Sequence, residues 1–185
     1  MAVMQEQIAR RGYQMFTQVL NTATHGYLPQ NRKRWFAVLT LSPLLQFDFP
    51  APVPRLFTVA DITQYPAPDN YIYREGAFYD RLLKMNLLPD KVYKFHRKSE
   101  TREHDISPAL LASMGTGGNR VPVIKTAQGI RKFTPKECFF LQGVWYPKFP
   151  AGMADTHLYK QAGNGVTATV VTRIMQSIIN SGALA

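Results

Sequence analysis

The chain has a single cysteine, Cys138, in 185 residues, so it can form neither an intrachain disulfide nor a cysteine-based zinc centre. Its four histidines, His25, His96, His104 and His157, lack metal-ligand spacing and read as surface or packing residues. No P-loop, no Gly-x-Gly-x-x-Gly turn and no internal repeat occurs, which removes the commonest nucleotide-binding and solenoid readings. No apolar run approaches the roughly 20 residues that a membrane-spanning helix needs. Residues 1–13 lack the apolar stretch of a signal peptide. We therefore expect a cytoplasmic chain with no metal and no membrane contact. Acidic residues are also scarce: 12 against 22 Lys and Arg leave a formal net charge of +10. With 45% hydrophobic residues the chain can build a core, so this excess points outward, to a polyanionic partner such as nucleic acid.

Three stretches differ in texture. Residues 4–12 suit the end of a short helix stopped by Gly12. Residues 13–22 and 35–41 are rich in Val, Leu, Phe and Trp, as strands are, and a polar segment between them reads as a functional loop. From residue 42 onward, prolines at 43, 50, 52, 54, 66, 68 and 89 forbid long elements, and aromatics fill the gaps. One short helix is expected at residues 77–85. Residues 91–102 interleave Lys91, Lys94, Arg97, Lys98 and Arg102 with Tyr93, Phe95 and His96. This is either a solvated edge strand or a strand whose outward face tracks phosphates.

The last third carries clearer signals. Thr134-Pro-Lys-Glu137 is a capping box that starts a helix, with Gly143 as its stop. Val166, Val170, Val171, Ile174 and Ile178 recur at helical spacing, which predicts a second helix over residues 167–179. Gly163-Asn164-Gly165 stands immediately before it, and glycines at a helix entrance let a ligand approach free amides.

Three segments, in order, resemble the C-terminal half of the DNA (cytosine-5)-methyltransferase family. Gly26-Tyr-Leu-Pro-Gln-Asn-Arg-Lys-Arg34 is similar to its motif VIII, with one extra residue after the glycine. Arg131-Lys-Phe-Thr-Pro-Lys-Glu-Cys-Phe-Phe-Leu-Gln-Gly143 is similar to motif IX, and Tyr159-Lys-Gln-Ala-Gly-Asn-Gly-Val166 to motif X. The family keeps its target-recognition domain between motifs VIII and IX. The resemblance thus divides the chain into 1–41, a methyltransferase portion with motif VIII; 42–130, the recognition domain; and 131–185, with motifs IX and X. The implied fold is α/β: a partial Rossmann-like methyltransferase domain of terminal β-hairpin and C-terminal helix, completed by a partner, plus an irregular, mixed, mostly β recognition domain.

The family's Gly-rich S-adenosylmethionine loop, its Pro-Cys nucleophile and its Glu-Asn-Val segment do not occur in this sequence. Cys138 follows Glu137 inside a predicted helix and reads as a packing residue. The resemblance therefore implies the second part of a split enzyme, or a fragment of an intact one. Met1, shortly before the first strand, stands at a sensible gene boundary and favours the split. The implied partners are a larger subunit carrying motifs I to VII and double-stranded DNA, in a bacterial restriction-modification setting.

By the same resemblance, Arg34, Arg32 and Gln30 serve the flipped-cytosine pocket, Arg34 at the base and Arg32 in support of the catalytic loop or backbone. Asn164, Gly165 and Gly163 close the S-adenosylmethionine pocket, shared with the partner. Ser113, Gly115, Thr116, Gly117, Gly118, Asn119 and Arg120 resemble the Gly-rich loop that enters the major groove, where Asn119 suits adenine and Arg120 suits guanine. Ala109-Leu110 replaces the usual Thr-Leu before that loop. Arg97 and Arg102 would meet phosphates. Two other readings stay open: a non-catalytic DNA-binding module derived from such an enzyme, and a basic RNA-binding protein with accidental matches.

Overall fold

The computed structural model describes residues 2–42, 46–63, 66–89, 91–96, 99–116 and 121–182. Helix α1 (Ala2–Arg10) ends before Gly12, and strand β1 (Gln14–Asn21) follows. A single helical turn, α2 (Thr22–His25), and a two-residue strand, β2 (Gln30–Asn31), occupy the polar loop. Strand β3 (Lys33–Thr40) returns antiparallel to β1, from Gln14 opposite Thr40 to Asn21 opposite Lys33.

The proline-rich middle holds α3 (Val59–Ile62), a 3-10 turn (Asp69–Tyr71) and α4 (Ala77–Leu83). Strands β4 (Val92–His96), β5 (Ser99–His104), β7 (Val123–Thr126) and β8 (Gly129–Lys132) form an antiparallel sheet in the order β5-β4-β7-β8. Between β5 and β7, the short β6 (Ser107–Pro108) pairs in parallel with β2 and ties the middle of the chain to the first loop. Three helices follow: α5 (Pro135–Phe140), α6 (Asp155–Asn164) and α7 (Ala168–Asn180).

Three of these features depart from the sequence reading. The basic stretch at 91–102 is not one strand but a hairpin, with Lys94 opposite Arg102 and a register slip between Lys94 and His96. Helix α6 was not foreseen, because Gly163-Asn164 reads as a turn but closes a helix whose Leu158, Tyr159, Ala162 and Gly163 are buried. The boundary at 130/131 falls inside β8, where Lys125 opposes Ile130 and Ile124 opposes Arg131. The largest core also ignores the proposed divisions. It joins Leu28 from the first stretch, Leu110, Met114 and Ile124 from the second, and Phe133, Cys138, Leu141 and Tyr159 from the third. A separate cluster packs α7 on the hairpin through Leu20, Phe47, Val170 and Ile174, with Phe16, Phe36 and Val38 against them.

The capping box of α5 has both reciprocal bonds. Glu137 N–H donates to Thr134 Oγ1 at 3.2 Å, and Thr134 N–H donates to Glu137 Oε2 at 2.7 Å. The same carboxylate receives a fork from Arg131, Nη1 to Oε2 at 2.9 Å and Nη2 to Oε1 at 2.7 Å. All three side chains are buried. An ion pair so deep is sound only while both partners remain, because removing one strands the other charge. Glu137→Gln should therefore destabilise the fold by about 3–5 kcal/mol. Thr134→Ala, which removes only a cap acceptor, should cost about 1 kcal/mol. Denaturant unfolding of both variants checks the order; equal losses would mean that the fork, not the cap alone, had been misjudged.

Candidate functional site

The three motif-like segments meet at the junction of α6 and α7. The last turn of α6 is buried at Ala162 and Gly163, so its carbonyls need donors. The Gly165 amide takes the Gln161 carbonyl at 2.9 Å. Gln142, at the end of α5, donates from Nε2 to the Ala162 carbonyl at 2.8 Å. Arg32 supplies the rest: Nη2 donates to the carbonyls of Gly163 at 2.9 Å and Gly165 at 2.7 Å, while Nη1 reaches the Leu110 carbonyl at 2.8 Å. The start of α7 is held from the same side. Gln142 accepts from the Ala168 amide on its carbonyl and from Thr167 Oγ1 on its own Oε1, and Thr167 Oγ1 lies 2.7 Å from Thr22 Oγ1.

Arg32 is only 2% exposed. Burial, and then the Arg34 charge, lower its pKa to about 10. Among the described residues no carboxylate neutralises it; the carbonyls at the negative end of α6 do that work. Gln30 is likewise buried, its Nε2 donating to the Leu141 carbonyl at 2.7 Å. Both residues were expected to serve the flipped-cytosine pocket, Arg32 in support of the catalytic loop or backbone, and here both donate to backbone carbonyls. Their polar heads are committed to backbone groups, so they hold the frame. Arg34 differs: it is exposed, and its Nη1 donates to the Lys33 carbonyl at 2.7 Å.

Asn164 and Gly165 line an open concavity of about 460 Å³ with His157, Lys160 and Gln161. His157, Lys160, Gln161 and Asn164 fall at i, i+3, i+4 and i+7, one exposed face of α6. That stripe escaped the sequence reading because the helix did. Gly163 does not line the concavity. A Cβ at this position would lie 2.3 Å from the Leu111 carbonyl carbon, so its glycine serves close packing rather than ligand approach.

The stem of the Gly-rich loop rests on this junction. Leu110 and Met114 are buried, Ser113 is half-buried and accepts from Thr116 Oγ1 at 2.6 Å, and Gly115 turns with φ +81°. Gly117, Gly118, Asn119 and Arg120 lie outside the described residues, as does Arg97. On the β4–β5 hairpin, Lys94 and Arg102 face each other, and burial, with Arg102 second, lowers the Lys94 pKa. Like charges directly opposed in a sheet are a local cost. An anion laid across them would relieve it.

Cys138 is fully buried in the largest core. Burial, with Glu137 second, pushes its thiol well above the usual range, so it is held protonated and out of reach. Among the described residues no group of His, Cys, Asp and Glu could hold a metal ion, and no helix is long and apolar enough to cross a membrane.

The profile of one family, described as C-5 cytosine-specific DNA methylase, matches residues 1–180. The chain belongs to that family. It is 38% identical over 188 residues to the Type II methyltransferase M.Bsp6I of Bacillus sp. (strain RFL6), covering 97% of this chain and 59% of that protein. It is 29% identical to M.HaeII of Haemophilus aegyptius, over 97% of this chain and 55% of the relative. The chain thus spans somewhat more than half the length of the Type II methyltransferases it matches. Two solved structures share its mixed α/β fold. The Entamoeba histolytica methyltransferase EhMeth superposes with a TM-score of 0.73 at 12% identity, covering 97% of this chain and 57% of that one. Dnmt2 of S. pombe gives 0.67 at 13% identity, over 96% and 61%.

The thiol chemistry is directly testable. In the native chain Cys138 should resist iodoacetamide at neutral pH and react on addition of denaturant. Mass spectrometry reads the adduct; rapid modification of the folded chain would show that the thiol is accessible and its structural assignment wrong.

Proposed function

We propose that the chain is the DNA-recognition and active-site-completing part of a DNA (cytosine-5)-methyltransferase, working with a larger polypeptide that carries motifs I to VII. One observation carries this reading. The three motif-like segments form a single hydrogen-bonded junction that ends on an open polar wall, while the chain's only thiol is buried. The nucleophile and the Gly-rich S-adenosylmethionine loop must then come from elsewhere.

In such an enzyme the target cytosine leaves the duplex, because C5 cannot be reached inside the stack. A thiolate of the partner adds to C6, and S-adenosylmethionine, when bound, supplies the methyl group. This chain's residues prepare that step. The exposed Asn164 amide and the Gly165 backbone fit one wall of a site for a polar ligand, and Lys160 offers a cation to a carboxylate there. To Arg34, exposed and free of any carboxylate among the described residues, we assign the extruded ring and its developing charge. Lys94 and Arg102 track phosphates, and the loop at 113–120 reads base edges.

The hairpin supports a partner as well. One face packs under α7; the other presents Val19 (55% exposed), Trp35 (45%) and Leu39 (45%), with Trp35 opposite Val19 and Leu39 opposite Met15. A sheet normally covers its apolar face with another layer. We read this face, and the free strand edges beside it, as the seat of the larger subunit in an obligate heterodimer. The setting is a bacterial, cytoplasmic restriction-modification system. A second reading, a DNA-binding module without catalysis, is favoured by the Lys94–Arg102 pair, which needs no nucleophile.

The purified chain should not methylate DNA, and mixing with a subunit carrying the missing motifs should restore turnover. Methyl transfer by the chain alone would refute the proposal; tight DNA binding with no rescue by any such subunit would favour the module. In the reconstituted enzyme, Arg34→Ala should slow single-turnover methylation on the order of 100-fold, with duplex affinity nearly unchanged. Arg102→Ala should instead weaken cognate and scrambled duplexes alike and lower the salt slope by about one. Binding measured at two salt concentrations separates these roles, and an Arg34→Ala variant that loses binding and rate together would remove it from the pocket.

A further inference from the structure

We propose that Arg32 is a positioning residue that fastens the stem of the Gly-rich loop, residues 110–116, to the Asn164–Gly165 turn, so that a ligand at the turn steadies the stem and DNA held at the stem steadies the turn. This rests on the function proposed above. Its geometry is that of a bridge. Nη1 holds the Leu110 carbonyl, three residues before Ser113, and Nη2 holds the carbonyls of Gly163 and Gly165 on the other side. The arginine is itself fixed: its N–H donates to Asn21 Oδ1 at 2.9 Å, and its carbonyl accepts from the Thr22 amide at 3.0 Å.

Two close contacts flank the bridge. Gly163 lets the Leu111 backbone lie directly on α6, leaving no room for a Cβ. Four residues on, Gly115 lies against the buried Tyr159 ring, where a Cβ would sit 2.6 Å from Cδ2. Tyr159 cannot retreat, since its hydroxyl donates to the Phe133 carbonyl at 2.6 Å. The loop stem therefore touches α6 at both ends of residues 111–115, and the guanidinium clamps the first of these contacts. A planar fork can serve carbonyls diverging in two directions; a lysine ammonium in its place could not span them. Coupling of this kind is reciprocal, since whatever the ligand gives the loop the loop must return.

The test is amide hydrogen exchange on the reconstituted complex with S-adenosylhomocysteine as the probe. Saturating probe should slow exchange of residues 111–116 by about fivefold or more. Arg32→Lys, with the probe still bound at saturation, should lose that protection. Gly115→Ala, whose Cβ forces the stem off Tyr159, should lose it too and decides the matter if Arg32→Lys does not fold. Leu87→Ala, which loosens the separate cluster of Leu82, Tyr93, Phe95 and Val123, should keep it. Probe binding without any change at 111–116, protection retained in Arg32→Lys or in Gly115→Ala, or an equal loss in Leu87→Ala would overturn the bridge while leaving the methyltransferase reading intact. A wild-type complex that does not bind the probe would overturn both.

Discussion

A helix whose last turn is buried must find donors for its final carbonyls, and the rest of this chain is arranged around that demand at Ala162 and Gly163 of α6. Gln142 and Arg32, 110 positions apart in sequence, arrive at neighbouring carbonyls of the same helix end. Unpaired carbonyls there would each cost about 1–3 kcal/mol, more than the chain can lose many times over. So α5 must end where Gln142 reaches Ala162, and the polar loop after β1 must turn where Arg32 can enter the core. The order of the motif-like segments follows from one set of hydrogen bonds.

The basic composition acquires two meanings in this setting. Some cations, such as the Lys94–Arg102 pair, lie where repulsion rewards an outside anion. Arg32 is the opposite case, a cation held by dipoles in the interior and unable to contribute to binding directly. Net charge therefore overstates the surface available to nucleic acid by the residues it counts in the core. Arg131, paired with Glu137, is another of these.

Where the sequence revealed structure, it did so through local rules. The capping box at Thr134 and Glu137, the helix over 168–180 and the hairpin strands are each set by neighbours a few residues away. Helix α6 was hidden because Gly163 and Asn164 have turn chemistry, and their helical state is set by Leu111 and Arg32 from distant segments. The burial of Arg32 and Gln30 was hidden for the same reason: residue type marks them as polar, and only the fold shows where the polar head goes. The segments were legible, and so was a backbone role for Arg32; the depth at which Gln30 and Arg32 sit was not.

The β1–β3 hairpin also bears on how such a chain must be made. With two strands and one bare apolar face, it offers unpaired backbone groups and Val19, Trp35 and Leu39 to any other exposed strand it meets. Another copy of the same hairpin is the nearest such strand when the chain is produced in excess. Until the face is covered, the hairpin is a template for self-association, and copies of itself are what it pairs with.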